Sequence, residues 1–92
     1  MIHSFRHKGL QRLFEHGDRK GVRADQAERI ENLLALLNRA RRLDDIRLPG
    51  LRLHPLKGDR RGELSVAVSA NWRLTFRFED GGLCDLNLED YH

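Results

Sequence analysis

The chain has 92 residues, of which 39% are hydrophobic and 34% charged, and 17 Lys and Arg against 14 Asp and Glu leave a net charge of +3. That length makes one domain, 1–92, which buries roughly 60–65% of its unfolded surface and has room for one modest core. No apolar run approaches the ~20 residues of a membrane helix, the start Met1-Ile2-His3-Ser4-Phe5-Arg6 lacks the apolar stretch of a signal peptide, and the lone Cys84 excludes an internal disulfide framework and fits a reducing cytoplasm.

The first predicted element is a helix from Lys8 to His16, with Leu10, Leu13 and Phe14 on one face and Gly17 as its stop. Gly21-Val22-Arg23 reads as a connection. Asp25 with Glu28 resembles an N-capping pair for a second helix. In that helix Ala27, Ile30, Leu34 and Leu37 keep helical spacing, widened by Leu33, Leu36 and Ala40. It is expected to fray near Arg41-Arg42, where cations suit the negative end of the helix dipole.

Leu48-Pro49-Gly50 breaks the helical pattern, and everything after it reads as sheet. Leu51-Arg52-Leu53-His54 alternates and is cut off by Pro55. Leu64, Val66 and Val68 share one side of the next strand, and Ala70-Asn71 makes a tight turn. Trp72, Leu74, Phe76 and Phe78 then share one face, with Arg73, Thr75, Arg77 and Glu79 on the other. Asp80-Gly81-Gly82 is a hairpin turn, and Cys84, Leu86 and Leu88 are expected on the core face of the last strand. Two N-terminal helices packed on an antiparallel β-sheet make an α+β fold.

Charge is unevenly spread. Arg39, Arg41, Arg42, Arg47, Arg52, Lys57, Arg60, Arg61, Arg73 and Arg77 crowd the middle, whereas from Glu79 onward there is no Lys or Arg. A basic patch beside an acidic edge fits a polyanion site better than a membrane surface. His3, His7, His16 and Cys84 form no metal-ligand pattern. No glycine-rich nucleotide loop, catalytic carboxylate pair or Ser-His-Asp arrangement stands out, so neither a cofactor nor a metal is implied.

Four blocks carry a family likeness. Phe5-Arg6-His7-Lys8-Gly9-Leu10, Arg52-Leu53-His54-Pro55-Leu56-Lys57-Gly58-Asp59, Asn71-Trp72-Arg73-Leu74-Thr75-Phe76 and Glu89-Asp90-Tyr91-His92 together resemble HigB-type toxins of the RelE/ParE superfamily. The likeness spans essentially the whole chain. It implies the RelE-like toxin fold and the toxin of a type II toxin–antitoxin pair. It further implies a metal-independent endoribonuclease that cuts mRNA in the ribosomal A site. The partner so implied is a HigA-type helix-turn-helix antitoxin, through which alone the toxin would meet operator DNA. Relatives often carry an aromatic residue where this chain has Glu63 after Gly62, which brings a negative charge near the expected RNA side. A non-nucleolytic member that inhibits a partner such as DNA gyrase is the alternative, and a non-toxic nucleic-acid-binding accessory domain is a third reading.

Metal-free RNA cleavage uses the substrate's 2′-hydroxyl as nucleophile. It needs a base, an acid for the leaving 5′-oxygen, and cations for the charge that grows on phosphorus. His92 is the first candidate for acid or base on the strength of the matching ending, because an imidazole titrates near neutrality. Tyr91 can stack on a base or donate to the phosphate. Strand parity puts Tyr91 and His92 on opposite faces, so both reach one substrate only if the strand twists or ends between them. Asp90 is expected to orient a histidine or bind a basic residue. His54, held extended by Pro55, reads equally as a partner in acid–base work and as a plain loop histidine. Lys57 on its glycine-containing loop and Arg73 beside Trp72 are the expected phosphate contacts. Arg60, Arg61 and Arg77 are expected to make general RNA contacts.

Overall fold

The computed structural model describes residues 1–90. Helix α1, Lys8–His16, buries Leu10 and Leu13, and helix α2, Ala27–Arg39, buries Ala27, Ile30, Leu33, Leu34 and Leu37. Both ends of α1 are closed. The His7 ring accepts from the Leu10 N–H at 3.1 Å, and Gly17, at φ 70°, returns its own N–H to the Leu13 carbonyl. Phe14 is left partly exposed and packs on Phe5, with ring centroids 5.7 Å apart. The chain between the helices passes backbone to backbone over α1. A Cβ on Gly21 would fall 2.5 Å from the Gly9 Cα, so this crossing admits only glycine.

The expected capping pair of α2 does not form. Gln26 occupies the N-cap without a capping side-chain bond, and Asp25 instead takes two hydrogen bonds from Arg23, at 2.9 and 3.1 Å. A charged guanidinium fork two residues away is a stronger partner than a neutral helix amide. At the other end α2 stops at Arg39, and the Asp45 carboxylate accepts from the N–H groups of both Arg41 and Arg42. A short 3-10 helix, Leu43–Ile46, then drops Ile46 into the core.

Four antiparallel strands form a meander in the order β1-β2-β3-β4, with β1 His54–Pro55, β2 Leu64–Ser69, β3 Trp72–Glu79 and β4 Gly82–Asp90. The expected first strand is cut to two residues. Pro49 starts a 3-10 turn that takes in Leu51, and Arg52 follows in the left-handed region at φ 51°. Pro55 is tolerated because β1 lies at the sheet edge. At the opposite edge the N-terminal segment runs parallel to β4, with bridges from Ile2 to Leu83 and from Phe5 to Leu86. That segment blunts an otherwise open edge.

The helices cover one sheet face, where Val66, Leu74, Phe76, Leu83 and Leu86 meet Leu10, Ile30, Leu34 and Leu37. Cys84 is not on that face, contrary to expectation. The register between β3 and β4 slips between Thr75 and Arg77, and Asp85 takes φ 57°. One extra residue in β4 reverses the parity, so Leu83 faces inward with Leu86 and Leu88 while Cys84 pairs with Arg77 on the outer side. The outer face is therefore polar. Ser65, Arg73, Thr75, Arg77, Asn87 and Glu89 share it, and it carries the site.

Candidate active site

β1 and β2 pair His54 with Ser65, and β2 and β3 pair Ser65 with Thr75 and Ala67 with Arg73. Small side chains at Ser65 and Ala67 leave space on the outer face. A hollow of 440 Å³ opens there, lined by His54, Leu56, Lys57, Ser65, Asn71 and Arg73. Three of the expected site residues thus converge from a strand, a loop and a second strand. Lys57 is exposed, and its ammonium has no partner among the described residues. Arg73 is half-buried and donates from Nη1 to Ser65 Oγ at 3.1 Å, while the Ser65 hydroxyl points on to the His54 carbonyl at 3.5 Å.

Ser65 was not singled out by its sequence context, although the alternation of Leu64, Val66 and Val68 already places it on the face of Arg73. Buried on the outer face between His54 and Thr75, it fixes the arginine from below. A guanidinium held in this way needs less ordering when an anion arrives.

Asp90 ends β4 beside Trp72, its register partner. It lines a second, 240 Å³ hollow with Arg23, Asp25, Gln26, Ser69 and Trp72, and the two hollows share Ala70 and Asn71. β4 therefore ends at the second hollow. Tyr91 and His92 lie outside the described residues.

The remaining expected RNA contacts sit in different settings. Arg61 is exposed behind the Lys57 loop. Arg77 is exposed and bonded to Glu79 at 2.7 and 3.1 Å. Arg60 is turned inward instead. It donates to Glu89 at 2.7 and 2.5 Å and to Glu63 at 2.9 and 3.2 Å. The charge of Glu63 is thus taken up by Arg60 and is not left bare on the expected RNA side.

Glu89 is the electrostatic centre of this face. Arg60, Thr75 and Asn87 all donate to its carboxylate, with Thr75 Oγ1 at 2.6 Å. Hydrogen bonds from Arg60, joined by Thr75, outweigh partial burial and bring the Glu89 pKa down to about 2. Arg60 is correspondingly raised by Glu89 and Glu63, and Glu63 is lowered by Arg60. Both carboxylates stay ionised at neutral pH. Glu89 is the register partner of Arg73, so an ionised carboxylate is borne on the strand position beside that arginine.

Among the described residues no group of three His, Cys, Asp or Glu side chains is placed to hold a metal ion. Among the same residues no helix is long and apolar enough to cross a membrane. The arrangement offers two cations and an exposed imidazole around one concave surface, which suits a phosphodiester.

Comparison with known proteins gives the family and the fold. The family model described as RelE-like toxin of type II toxin-antitoxin system HigB matches residues 3–92. A protein of Proteus vulgaris named Endoribonuclease HigB is 48% identical over 92 residues, covering 100% of both chains. The crystal structure of a mutant of YafQ from E. coli superposes with a TM-score of 0.62 at 17% identity, covering 98% of this chain and 93% of that one. At that identity the match speaks for the fold, which is the α+β toxin architecture expected.

Proposed function

The chain belongs to the HigB-like, RelE-like toxins of type II toxin–antitoxin systems, and we propose that it is a ribosome-dependent endoribonuclease that cuts mRNA by attack of a 2′-hydroxyl on the adjacent phosphorus. Membership in a type II system means an antitoxin partner. We assign that role to a HigA-type helix-turn-helix protein, which also brings the toxin to operator DNA. The pair acts in the cytoplasm.

One observation carries this reading: His54, Lys57 and Arg73 line a single hollow, and Asp90, the last residue of the strand that precedes Tyr91 and His92, lines the hollow adjoining it. The 48% identity to a protein named as an endoribonuclease supports it.

In the proposed mechanism the scissile phosphate sits between Lys57 and Arg73. Both cations stabilise the extra negative charge of the phosphorane, and neither needs to gain or lose a proton. His54 and His92 divide the proton transfers, one taking the 2′-hydroxyl proton and the other protonating the leaving 5′-oxygen. Tyr91 donates to the phosphate or stacks on a base, and Asp90 orients its neighbours on the terminal segment. Arg61 and Arg77 contact the RNA backbone outside the hollow. Arg60 acts through Glu89, holding the Lys57 loop against β4. A site built largely of cations supplies little leverage on a flexible strand, so the ribosome presents the message in a reactive shape.

The test is to induce the chain without its antitoxin and ask which macromolecule is damaged. Fragmented mRNA with intact chromosomal DNA is the expected result. Double-strand DNA breaks with full-length mRNA would instead mark inhibition of a partner such as gyrase.

A further inference from the structure

The hollow next to the cationic one has a different chemistry. Its wall is a layered pair, with the Arg23 guanidinium over the Trp72 ring at 5.9 Å from the centroid. Asp25 grips that guanidinium with both carboxylate oxygens, at 2.9 and 3.1 Å. The fork fixes the guanidinium plane and takes up its charge, so what Arg23 offers a ligand is a flat surface more than a free cation. Arg23 is still exposed, and its outer face is open.

The floor of the hollow carries a second signal. Gln26 is 4% exposed, and its Nε2 donates to Ser69 Oγ at 2.8 Å. Its Oε1 has no hydrogen-bond partner among the described residues. A buried amide oxygen without a partner costs free energy unless a donor reaches it. Asp25 and Asp90 line the same hollow with Gln26 and Asn71, so two carboxylates and two amides surround it. Phosphate is disfavoured in such a place, whereas a neutral flat ring with N–H groups is favoured.

We propose that this hollow is a nucleobase subsite, in which an unpaired base of the RNA chain next to the scissile linkage stacks on the Arg23–Trp72 layer. This rests on the nuclease reading of the neighbouring hollow, with which it shares Ala70 and Asn71. Phosphate would lie in one hollow and the adjacent base in the other, separated by the β2–β3 turn. Arginine planes and aromatic rings are both used as stacking surfaces for unpaired bases. The layer reads the presence of a base and not its identity, because every base has a flat face.

Trp72 is the only tryptophan of the chain, so its fluorescence reports on this hollow alone. The probe is a short single-stranded oligonucleotide with 2′-deoxy sugars, which lacks the nucleophile and is not cut, compared with a set in which one abasic residue is walked along it. Binding of the full oligonucleotide is expected to quench Trp72, and one abasic position is expected to abolish the quenching and weaken binding about 5- to 100-fold. R23K keeps the charge but loses the plane, and D25N releases the fork. Both are expected to erase the difference between the two probes. Equal quenching by every abasic probe, or no base-dependent quenching at all, would overturn the subsite. So would R23K and D25N proteins that retain the full difference. Cleavage of mRNA by the induced wild-type chain is followed in parallel. Cleavage without base-dependent quenching sinks the subsite alone, while absence of cleavage sinks the reading of the cationic hollow whatever the fluorescence does.

Discussion

Arg60 and Glu89 meet through two parallel hydrogen bonds of 2.7 and 2.5 Å across 29 residues of chain. This contact ties the loop that carries Lys57 to the strand that leads to Tyr91 and His92. Stability should therefore depend on pH through Glu89. Its pKa falls from an ordinary 4.5 to about 2 on folding. A depressed carboxylate stabilises the folded state above pH 4.5, and that contribution is lost as pH falls from 4.5 through about 2. The loss should reach roughly 2–3 kcal/mol in denaturant unfolding measured at pH 6 and near pH 2. E89Q should show a clearly smaller loss in this window. An identical loss in wild type and variant would place the stabilising charge elsewhere.

Ser65 should act on the reaction through Arg73. S65A removes the only hydroxyl bonded to that guanidinium among the described residues, a hydrogen bond to a charged group worth about 1.5–3 kcal/mol. Ribosome-bound mRNA should be cut about tenfold more slowly, with the loss in the rate at saturating ribosome–mRNA complex and not in the concentration needed to reach it. S65T, which keeps the oxygen, should recover part of the rate. A rate unchanged in S65A would show that Arg73 is held by other means.

His7 should give α1 a pH-dependent cap. Its ring accepts from the Leu10 N–H, which requires the unprotonated nitrogen. Burial lowers its pKa from 6.5, and nearby Arg12 adds to the effect against an opposing backbone hydrogen bond. A histidine kept neutral in the fold stabilises above pH 6.5, and that stability declines as pH falls from 6.5 toward the depressed value. H7N keeps a capping oxygen that does not titrate in this range. Unfolding followed from pH 7.5 to 5 should slope more steeply for wild type than for H7N, and parallel slopes would remove His7 from the account.

Asp85 sits at the β4 bulge with φ 57°. Its N–H donates to Ser4 Oγ at 2.9 Å, so the N-terminal segment secures the kink. D85G should be neutral or stabilising, because glycine adopts this conformation without strain. D85V should cost about 1–2 kcal/mol in chemical denaturation. A harmless valine would mean that the bulge is free to relax.

Most of this architecture was legible in the sequence, because long periodic runs declare their faces. Leu10 and Leu13 fixed the inner side of α1, and Leu74, Phe76 and Phe78 fixed that of β3. The departures have local causes that alternation does not encode. One residue inserted at Asp85 moved Cys84 to the outer face, and Pro49 turned the start of the expected first strand into a 3-10 turn. His54, Lys57 and Arg73 converge on one hollow from separate stretches of chain, which alternation alone does not encode. The inward turn of Arg60 did not show in the sequence, because its partner Glu89 is 29 residues away and an arginine in a basic loop looks like any other. Ser65 is silent in the sequence for a similar reason, since a serine in a strand reads as filler until the arginine diagonal to it is located.

The central claim is that the hollow between His54, Lys57 and Arg73 is where RNA is cut. Its most direct test is the single-turnover cleavage rate of mRNA bound to ribosomes, for wild type and for R73A with the fold checked by circular dichroism. Loss of one preorganised group that stabilises the transition-state charge should slow the cut about 10²–10³-fold while the folded protein remains. A fully folded R73A that cuts at the wild-type rate would contradict the account.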